Sequence, residues 1–405
     1  VMERYSKYKD SGVDWIGEIP EGWSVTKVGQ MFTSRRETVS DQDYAPLSVT
    51  KGGIVPQLEN VAKTDNRDNR LLVRKGDFVI NSRSDRRGSC GFSQLDGSVT
   101  QISLVLNPQR ISEIDVRYYS WLFSCERFSD EFYRNGHGIV ADLWSTKWSD
   151  MKGIYLPKPP ADSRKRIVAY LDEKTGAIDA AVADIERSIE LLNEYRQSVI
   201  SEAVTKGLDP NAPMKDSGID WIGQIPEYWH IEKAKFLVSI TNGSDPKTNG
   251  NIPVYGSGEG SFKTCGEYKE GPAVLIGRKG ATLHIPHYVT GKYWNVDTAF
   301  DVKASNDTIS LRYYYYLATC FDYKQYMSQT TLPSMTQTAY WNMALPLPDT
   351  TDQNHIVDWL DEHLSQINSL IAQKQSLIVR LKEYRSSLIS ECVTGKVKVP
   401  GVKED

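Results

Sequence analysis

The side chains best placed for chemistry in this sequence are arginines, and the chemistry they suit is recognition. Residues 63–91 carry Lys63, Arg67, Arg70, Arg74, Lys75, Arg83, Arg86 and Arg87. Only Asp65, Asp68, Asp77 and Asp85 oppose them, a local net charge of +4 in a 405-residue chain whose overall charge is −4. Within that stretch Asn81, Ser82, Arg83, Ser84, Asp85, Arg86, Arg87 and Gly88 follow the apolar run Phe78-Val79-Ile80. An apolar run that breaks into polar residues and glycine reads as a strand leading into a loop. An arginine fork matches O6 and N7 of guanine, while Asn and Ser reach other base edges or phosphates. The alternative is a solvated loop whose arginines pair with neighbouring aspartates.

The second half of the chain has a positional counterpart. Gly277-Arg278-Lys279-Gly280-Ala281-Thr282 follows Val274-Leu275-Ile276. A hydroxyl-rich segment with Thr331, Ser334 and Gln337 lies further on, and its counterpart in the first half holds His137 and Lys147. A glycine-rich stretch from Asn242 to Gly258 adds Lys247. The candidate DNA contacts are therefore Asn81, Arg83, Ser84, Arg86, Arg87, His137, Lys147, Lys247, Arg278, Lys279, Thr282, Thr331, Ser334 and Gln337.

Catalytic patterns are missing. The 277–282 loop does not meet the GxxxxGK[ST] spacing of a phosphate loop. Asn107-Pro108-Gln109-Arg110 lacks the aromatic that an NPPY-type motif of base methyltransferases stacks on its base. Glu267-Tyr268-Lys269 has an ExK spacing but no paired aspartate. His284 and His287 flank Pro286, so they do not share a helix face as a metal pair would. No Ser/His/Asp set has local support.

What positions the loops is a stretch used twice. Residues 166–205 and 355–394 are identical at about 18 of 40 positions, at an offset of 189. In the first copy Leu171, Thr175, Ile178, Val182, Ile185, Ile189, Leu192, Arg196 and Val199 alternate at spacings of four and three. Leu360, Leu364, Ile367, Ile371, Lys374, Ile378, Leu381, Arg385 and Leu388 repeat that register. A heptad seam of this length demands a helical partner, and the economical partner is the other copy.

A second repeat precedes each helix. Residues 9–28 and 215–234 share the pattern DWIGxIPExW, with about 13 of 20 positions identical at an offset of 206. Trp15, Pro20 and Trp23, like Trp221, Pro226 and Trp229, read as a packed aromatic entry turn. Each half leaves its variable block through a proline-rich exit, Leu156-Pro157-Lys158-Pro159-Pro160 or Leu345-Pro346-Leu347-Pro348-Asp349. Asp162-Ser163 and residues 349–352 are the candidate N-caps that follow. The first helix is expected to end near Lys206-Gly207. The two blocks read as β-rich with some helix, over 116–128 and 311–326, and do not align with each other. The frame is duplicated and its contents are not.

Composition narrows the rest. With 40% hydrophobic and 25% charged residues the chain is of ordinary soluble composition, enough for two or three domains. No run of 18 apolar residues occurs, so no membrane span is expected. The N-terminus lacks a signal-peptide core. Five cysteines without a CxxC pair fit a reducing cytoplasm. A net charge of −4 lacks the basic excess of a free-standing nucleic-acid binder, so local patches or a partner must supply the positive charge.

The duplicated entry motif, the exits IYLPKPP and MALPLPD, and the IVxxLDE…EYRxSxISExVT helices together resemble the specificity subunit of type I restriction–modification systems. They span nearly the whole chain. The glutamine-rich segment expected ahead of each helix is replaced by Ser163-Arg164-Lys165 and Asp352-Gln353-Asn354. The resemblance implies an α+β fold with an internal pseudo-twofold repeat. Two β-rich target recognition domains, 1–160 and 209–350, are joined by long helices over 161–208 and 351–397, with a tail over 398–405. It implies an antiparallel coiled coil seamed by Leu171, Ile178, Val182, Ile185, Ile189, Leu192, Leu360, Leu364, Ile367, Ile371, Ile378 and Leu381. The function implied is recognition of a bipartite, asymmetric site on double-stranded DNA, without catalysis. The chain itself would bind no cofactor or metal. Two methylation subunits would bring S-adenosylmethionine, and restriction subunits ATP and Mg. Two other readings compete: a fused methyltransferase or nuclease in one block, and a helical scaffold that binds no nucleic acid.

Overall fold

The computed structural model describes residues 3–57, 68–109, 112–138, 144–328 and 333–402. Its contacts divide the chain into two units, Val1–Ile185 with Ser376–Asp405, and Glu186–Gln375. Each unit combines one globular body with part of two long helices, Ala161–Lys206 of 46 residues and Thr350–Val393 of 44 residues.

The heptad pattern explains the helix pairing. All eighteen seam positions are buried or half-buried, and most residues between them are exposed. In the first unit the Arg385 guanidinium donates to both carboxylate oxygens of Asp179, at 2.8 and 3.0 Å. In the second, Arg196 donates to Asn368 Oδ1 at 3.1 Å. As numbers rise on one helix, partner numbers fall on the other, so the helices run antiparallel. Arg196 and Arg385 occupy seam positions because their stems pack while their heads reach polar groups at the edge.

Helix ends follow local chemistry. The first helix starts directly after Pro159-Pro160, where a proline ring no longer obstructs it. Asp162 therefore sits inside the first turn, where its charge suits the helix dipole, and does not cap it. Asp349 does cap the second helix: its carboxylate accepts the Asp352 N–H at 2.8 Å. Both helices stop before a glycine with positive φ, Gly207 at +75° and Gly395 at +73°.

Those glycines also let the chain turn close to an entry motif. In the first unit Gly395 lies against Pro20 and Trp23; in the second Gly207 lies against Pro226 and Trp229. Both tryptophans are buried. Each entry motif is a hairpin, Tyr8–Asp10 with Glu18–Pro20 and Met214–Asp216 with Gln224–Pro226. The next strand pairs with the exit: Ser24–Lys27 with Tyr155–Lys158, and His230–Lys233 with Ala344–Leu347. The first hairpin is also tied to the C-terminal segment: the Tyr8 hydroxyl donates to Lys396 O at 3.1 Å, and just ahead of the hairpin the Glu3 carbonyl accepts the Lys398 N–H at 2.8 Å.

The two bodies share a sheet topology although their sequences do not align. In the first, a four-stranded antiparallel sheet runs Cys90–Phe92, Phe78–Asn81, Ser103–Pro108, Phe32–Arg35 in spatial order. In the second the order is His287–Val289, Ala273–Gly277, Ala299–Ala304, Val238–Asn242, with the same connectivity. A buried sheet asks only for apolar side chains on its faces, so two sequences reach one topology without shared identities. What differs is the second layer. The first unit has a three-stranded sheet and a Leu47–Thr50/Gly53–Pro56 hairpin; the second has a four-stranded sheet with one parallel pair.

After the sheet each body sends a helix onto the rods, Glu113–Ser124 or Leu311–Ala318. The expected 116–128 helix is interrupted at Cys125, whose ψ of 145° starts a second helix, Glu126–Arg134. Arg117-Tyr118-Tyr119-Ser120-Trp121 and Arg312-Tyr313-Tyr314-Tyr315-Tyr316 then make the same attachments. The buried Tyr118 hydroxyl donates to Val393 O at 2.7 Å, and Tyr313 to Val204 O at 3.0 Å. Arg117 and Trp121 hold Asp172; Arg312 and Tyr316 hold Asp361. Each body thereby grips the start of one long helix and the end of the other.

Candidate nucleic-acid interface

In both units several of the candidate residues sit where three segments meet at one end of the two central strands of the four-stranded sheet. In the first unit the Ser82 N–H and hydroxyl donate to Ile102 O, at 3.0 and 2.6 Å. Thr146 N–H donates back to Ser82 O at 3.0 Å, and Arg83 bridges Ser145. His137 and Ser145 exchange two backbone hydrogen bonds at 3.0 and 3.1 Å. In the second unit the Arg278 N–H donates to Thr298 O at 2.8 Å and the Met335 N–H to Arg278 O at 2.9 Å. Lys279 bridges Ser334, which bridges Ser328. The two junctions are built alike: Arg83 corresponds to Lys279, Gln101 to Asp297, and Ser145 to Ser334. A short helix follows each, opened by Lys147 and by Thr336.

The side chains at these equivalent places differ. Arg83 is exposed at the rim of a groove of about 640 Å³, lined also by Arg36, Ser82, Gln101, Ser103 and Lys147. Gln101 there donates to Asn69 Oδ1 at 3.0 Å. Asp297, in the same position of the second unit, lies 3.8 Å from the Lys279 ammonium. Its carbonyl accepts from the Arg278 guanidinium at 3.2 Å. The second junction thus has its cations turned toward its own backbone and carboxylate, while in the first Arg83 faces the groove.

The remaining candidates fall into two groups. Arg86 is exposed, 3.8 Å from Asp85, and Arg87 donates to Asp130 at 3.2 Å over the Tyr133 ring. His137 is exposed beside Asp150 at 3.7 Å, and Lys147 is exposed. Thr282 is exposed, and Ser334 shares a 2.7 Å hydroxyl contact with Ser328. Asn81 instead is buried, its carboxamide accepting the Arg83 N–H at 3.0 Å, so it shapes the loop. The Gln337 amide donates to Ile240 O. Lys247 is exposed on a loop held by Glu267, whose carboxylate accepts the Lys247 N–H at 2.7 Å and the Thr248 hydroxyl at 2.7 Å. Those bonds, led by the Thr248 hydroxyl, hold the Glu267 carboxyl down to about 2. Thr331 and the side chain of Ser84 lie outside the described residues, as do Lys63 and Arg67.

Sequence reasoning missed Arg35, Arg36 and Gln101. Arg35 is bound at 2.8 and 3.0 Å by buried Asp77, and that hydrogen bond raises its pKa. It therefore braces the sheet behind the groove. Arg36 follows the strand Phe32–Arg35 and faces solvent. Arg35-Arg36 was legible as a pair of cations, but only the sheet order brings it beside residues 82–83 and 101–105.

Burial pushes Cys90 and Cys392 up to about 12, and Cys125 and Cys320 to about 11. His284 is exposed, while the His287 ring is bonded to Gly258 O at 2.7 Å. Among the described residues no helix is long and apolar enough to cross a membrane.

Comparison with known proteins gives one consistent answer. A family model described as the type I restriction modification DNA specificity domain matches residues 230–380. The MjaVIII type I restriction enzyme specificity subunit of Methanocaldococcus jannaschii is 23% identical, over 94% of this chain and 94% of that protein. The putative MjaX specificity subunit of the same organism is 22% identical, over 95% and 96%. Two solved structures share the fold. A chain from a structural study of complex assembly and conformational transition in a type I R-M system superposes with a TM-score of 0.71 at 15% identity, over 93% and 98%. The HsdS subunit of Thermoanaerobacter tengcongensis gives 0.52 at 15% identity, over 94% and 98%. Residues 230–380 therefore match the DNA specificity domain of type I restriction–modification systems, and nearly the whole chain is similar to proteins named as type I specificity subunits.

Proposed function

We propose that the chain reads a bipartite, asymmetric DNA target, one half-site per unit, and that the antiparallel helices set the spacer between the half-sites. The observation that carries this is the paired junction: one backbone construction, presented twice, with different side chains at matching positions. Like backbones suit like approaches to a groove, and unlike side chains suit unlike base sequences. Half-sites one helical turn apart would present successive major grooves to the two units. Helices of 46 and 44 residues have the reach for that, at 1.5 Å per residue.

The same helices would dock two methylation subunits that carry S-adenosylmethionine, with restriction subunits and their ATP and Mg joining that core. Tyr195 and Tyr384 support this. They occupy equivalent positions in the repeat, and they remain 59% and 51% exposed. An identical large aromatic left in water by both copies suits a partner that binds twice.

The decisive experiment inserts one heptad into the middle of each long helix and assays methylation by the assembled complex. Seven residues add about 10 Å, or roughly three base pairs of spacer. The preferred spacer should lengthen by that amount with both half-sites unchanged. An unaltered spacer in an active complex rules out the measuring role.

A further inference from the structure

We infer that Arg83 is a specificity residue that reads a guanine in the half-site of the first unit, and that the second unit has no equivalent guanine reader at its matching position. The inference rests on the DNA-recognition reading above and adds to it which base is read, by which residue, in which half.

Three observations carry it. First, the Arg83 backbone is fixed. Its N–H donates to the Asn81 carboxamide at 3.0 Å, and its bridge to Ser145 ties it to the segment before the exit. The side chain thus leaves from a rigid junction and not from a loose loop, which is what base readout requires. Second, among the described residues no carboxylate lies within ion-pair distance of the Arg83 guanidinium, although Arg35, Arg86 and Arg87 each have an aspartate. A guanidinium without an anionic partner keeps its full fork for a ligand. Guanine O6 and N7 are the paired acceptors that a fork fits in the major groove.

Third, the second unit supplies an internal control. Lys279 stands where Arg83 stands, and Asp297 stands where Gln101 stands. The 3.8 Å approach of Asp297 to the Lys279 ammonium offsets its charge. A lysine also lacks the planar fork. Gln101 is neutral and exposed in the first unit, so nothing there competes for Arg83. Arg36 and Lys147, exposed on the same groove, provide positive charge for the flanking phosphates.

The test uses the complex of this chain with its methylation subunits and a randomised duplex library. Wild type should select one half-site containing an invariant guanine. Arg83→Ala and Arg83→Lys should both lose preference at that one position and keep the other half-site. Lys279→Ala should leave the guanine preference intact. Replacing that guanine by 7-deazaguanine removes N7; it should weaken wild-type binding roughly 5- to 150-fold and add no loss in Arg83→Ala. Equal weakening on every sequence, with the selected site unchanged, would mean that Arg83 holds a phosphate, and would overturn the inference. So would loss of preference at a position that is not guanine. Failure of the wild-type complex to select any sequence would be a different result, bringing down the DNA-recognition reading itself.

Discussion

The two units grip the rods in the same way and face outward differently. Inward, the matches extend to single atoms: Tyr118 and Tyr313 donate to the carbonyls of Val393 and Val204, and Asp172 and Asp361 each receive an arginine and an aromatic donor. Outward, the position held by Arg83 in the first unit is held by Lys279 in the second, and that of Gln101 by Asp297. The inward surfaces must fit the same repeated helix, so their chemistry is constrained twice by one partner. The outward surfaces meet no common partner inside the chain. The contrast separates the part of the molecule that holds from the part that discriminates.

Removing the largest shared anchor should affect both units equally. Trp23→Ala and Trp229→Ala each empty a buried indole site, at 2% and 1% exposure, and should each cost about 3–5 kcal/mol. Denaturant unfolding followed by calorimetry should show similar losses; a large loss in one variant alone would break the equivalence of the entry motifs.

A smaller and unequal effect is expected at the helix-terminal glycines. Alanine at either Gly207 or Gly395 forces a side chain into positive φ, at about 1–2 kcal/mol. At Gly395 the new Cβ would also meet Pro20 at 2.5 Å and Trp23 at 2.9 Å, whereas at Gly207 the nearest atom is 3.2 Å away. Crowding of the tighter site adds about 1–3 kcal/mol, so Gly395→Ala should be the worse of the pair in thermal unfolding. The reverse order would show that the tail docks less tightly than its geometry implies.

The finest distinction lies in the loop that carries Lys247. Glu267 has its carboxyl held down to about 2, against an ordinary value of 4.5, by the Thr248 hydroxyl and by backbone N–H groups. A depressed folded pKa means that its contribution is fully present above about 4.5 and is lost as pH falls through about 2. The amide resonances of Lys247 and Thr248 should therefore titrate with a midpoint near 2. A midpoint near the ordinary value would show that the loop is not held by this carboxylate.

The rods were legible because a seam repeated over 40 residues leaves no other way to bury it. The entry motifs were legible because they are copied almost residue for residue. The matching sheets were not, since apolar runs such as Phe78-Val79-Ile80 and Val274-Leu275-Ile276 specify a strand without specifying its neighbours. The attachment of Arg117-Tyr118 and Arg312-Tyr313 was hidden for a related reason: five residues in helical spacing fall below what an alignment detects. Asn81 looked like a contact residue by type, and only its hydrogen bond to the Arg83 N–H shows that it shapes the loop.

By itself the sequence determined the long helices, their pairing and the twofold use of one frame, because periodic burial is written in residue spacing. Which side chains meet at the end of each sheet was decided by tertiary structure alone. Arg36, Arg83, Gln101 and Lys147 are separated by up to 111 positions, and strand order, which no local pattern encodes, is what lays them around one groove.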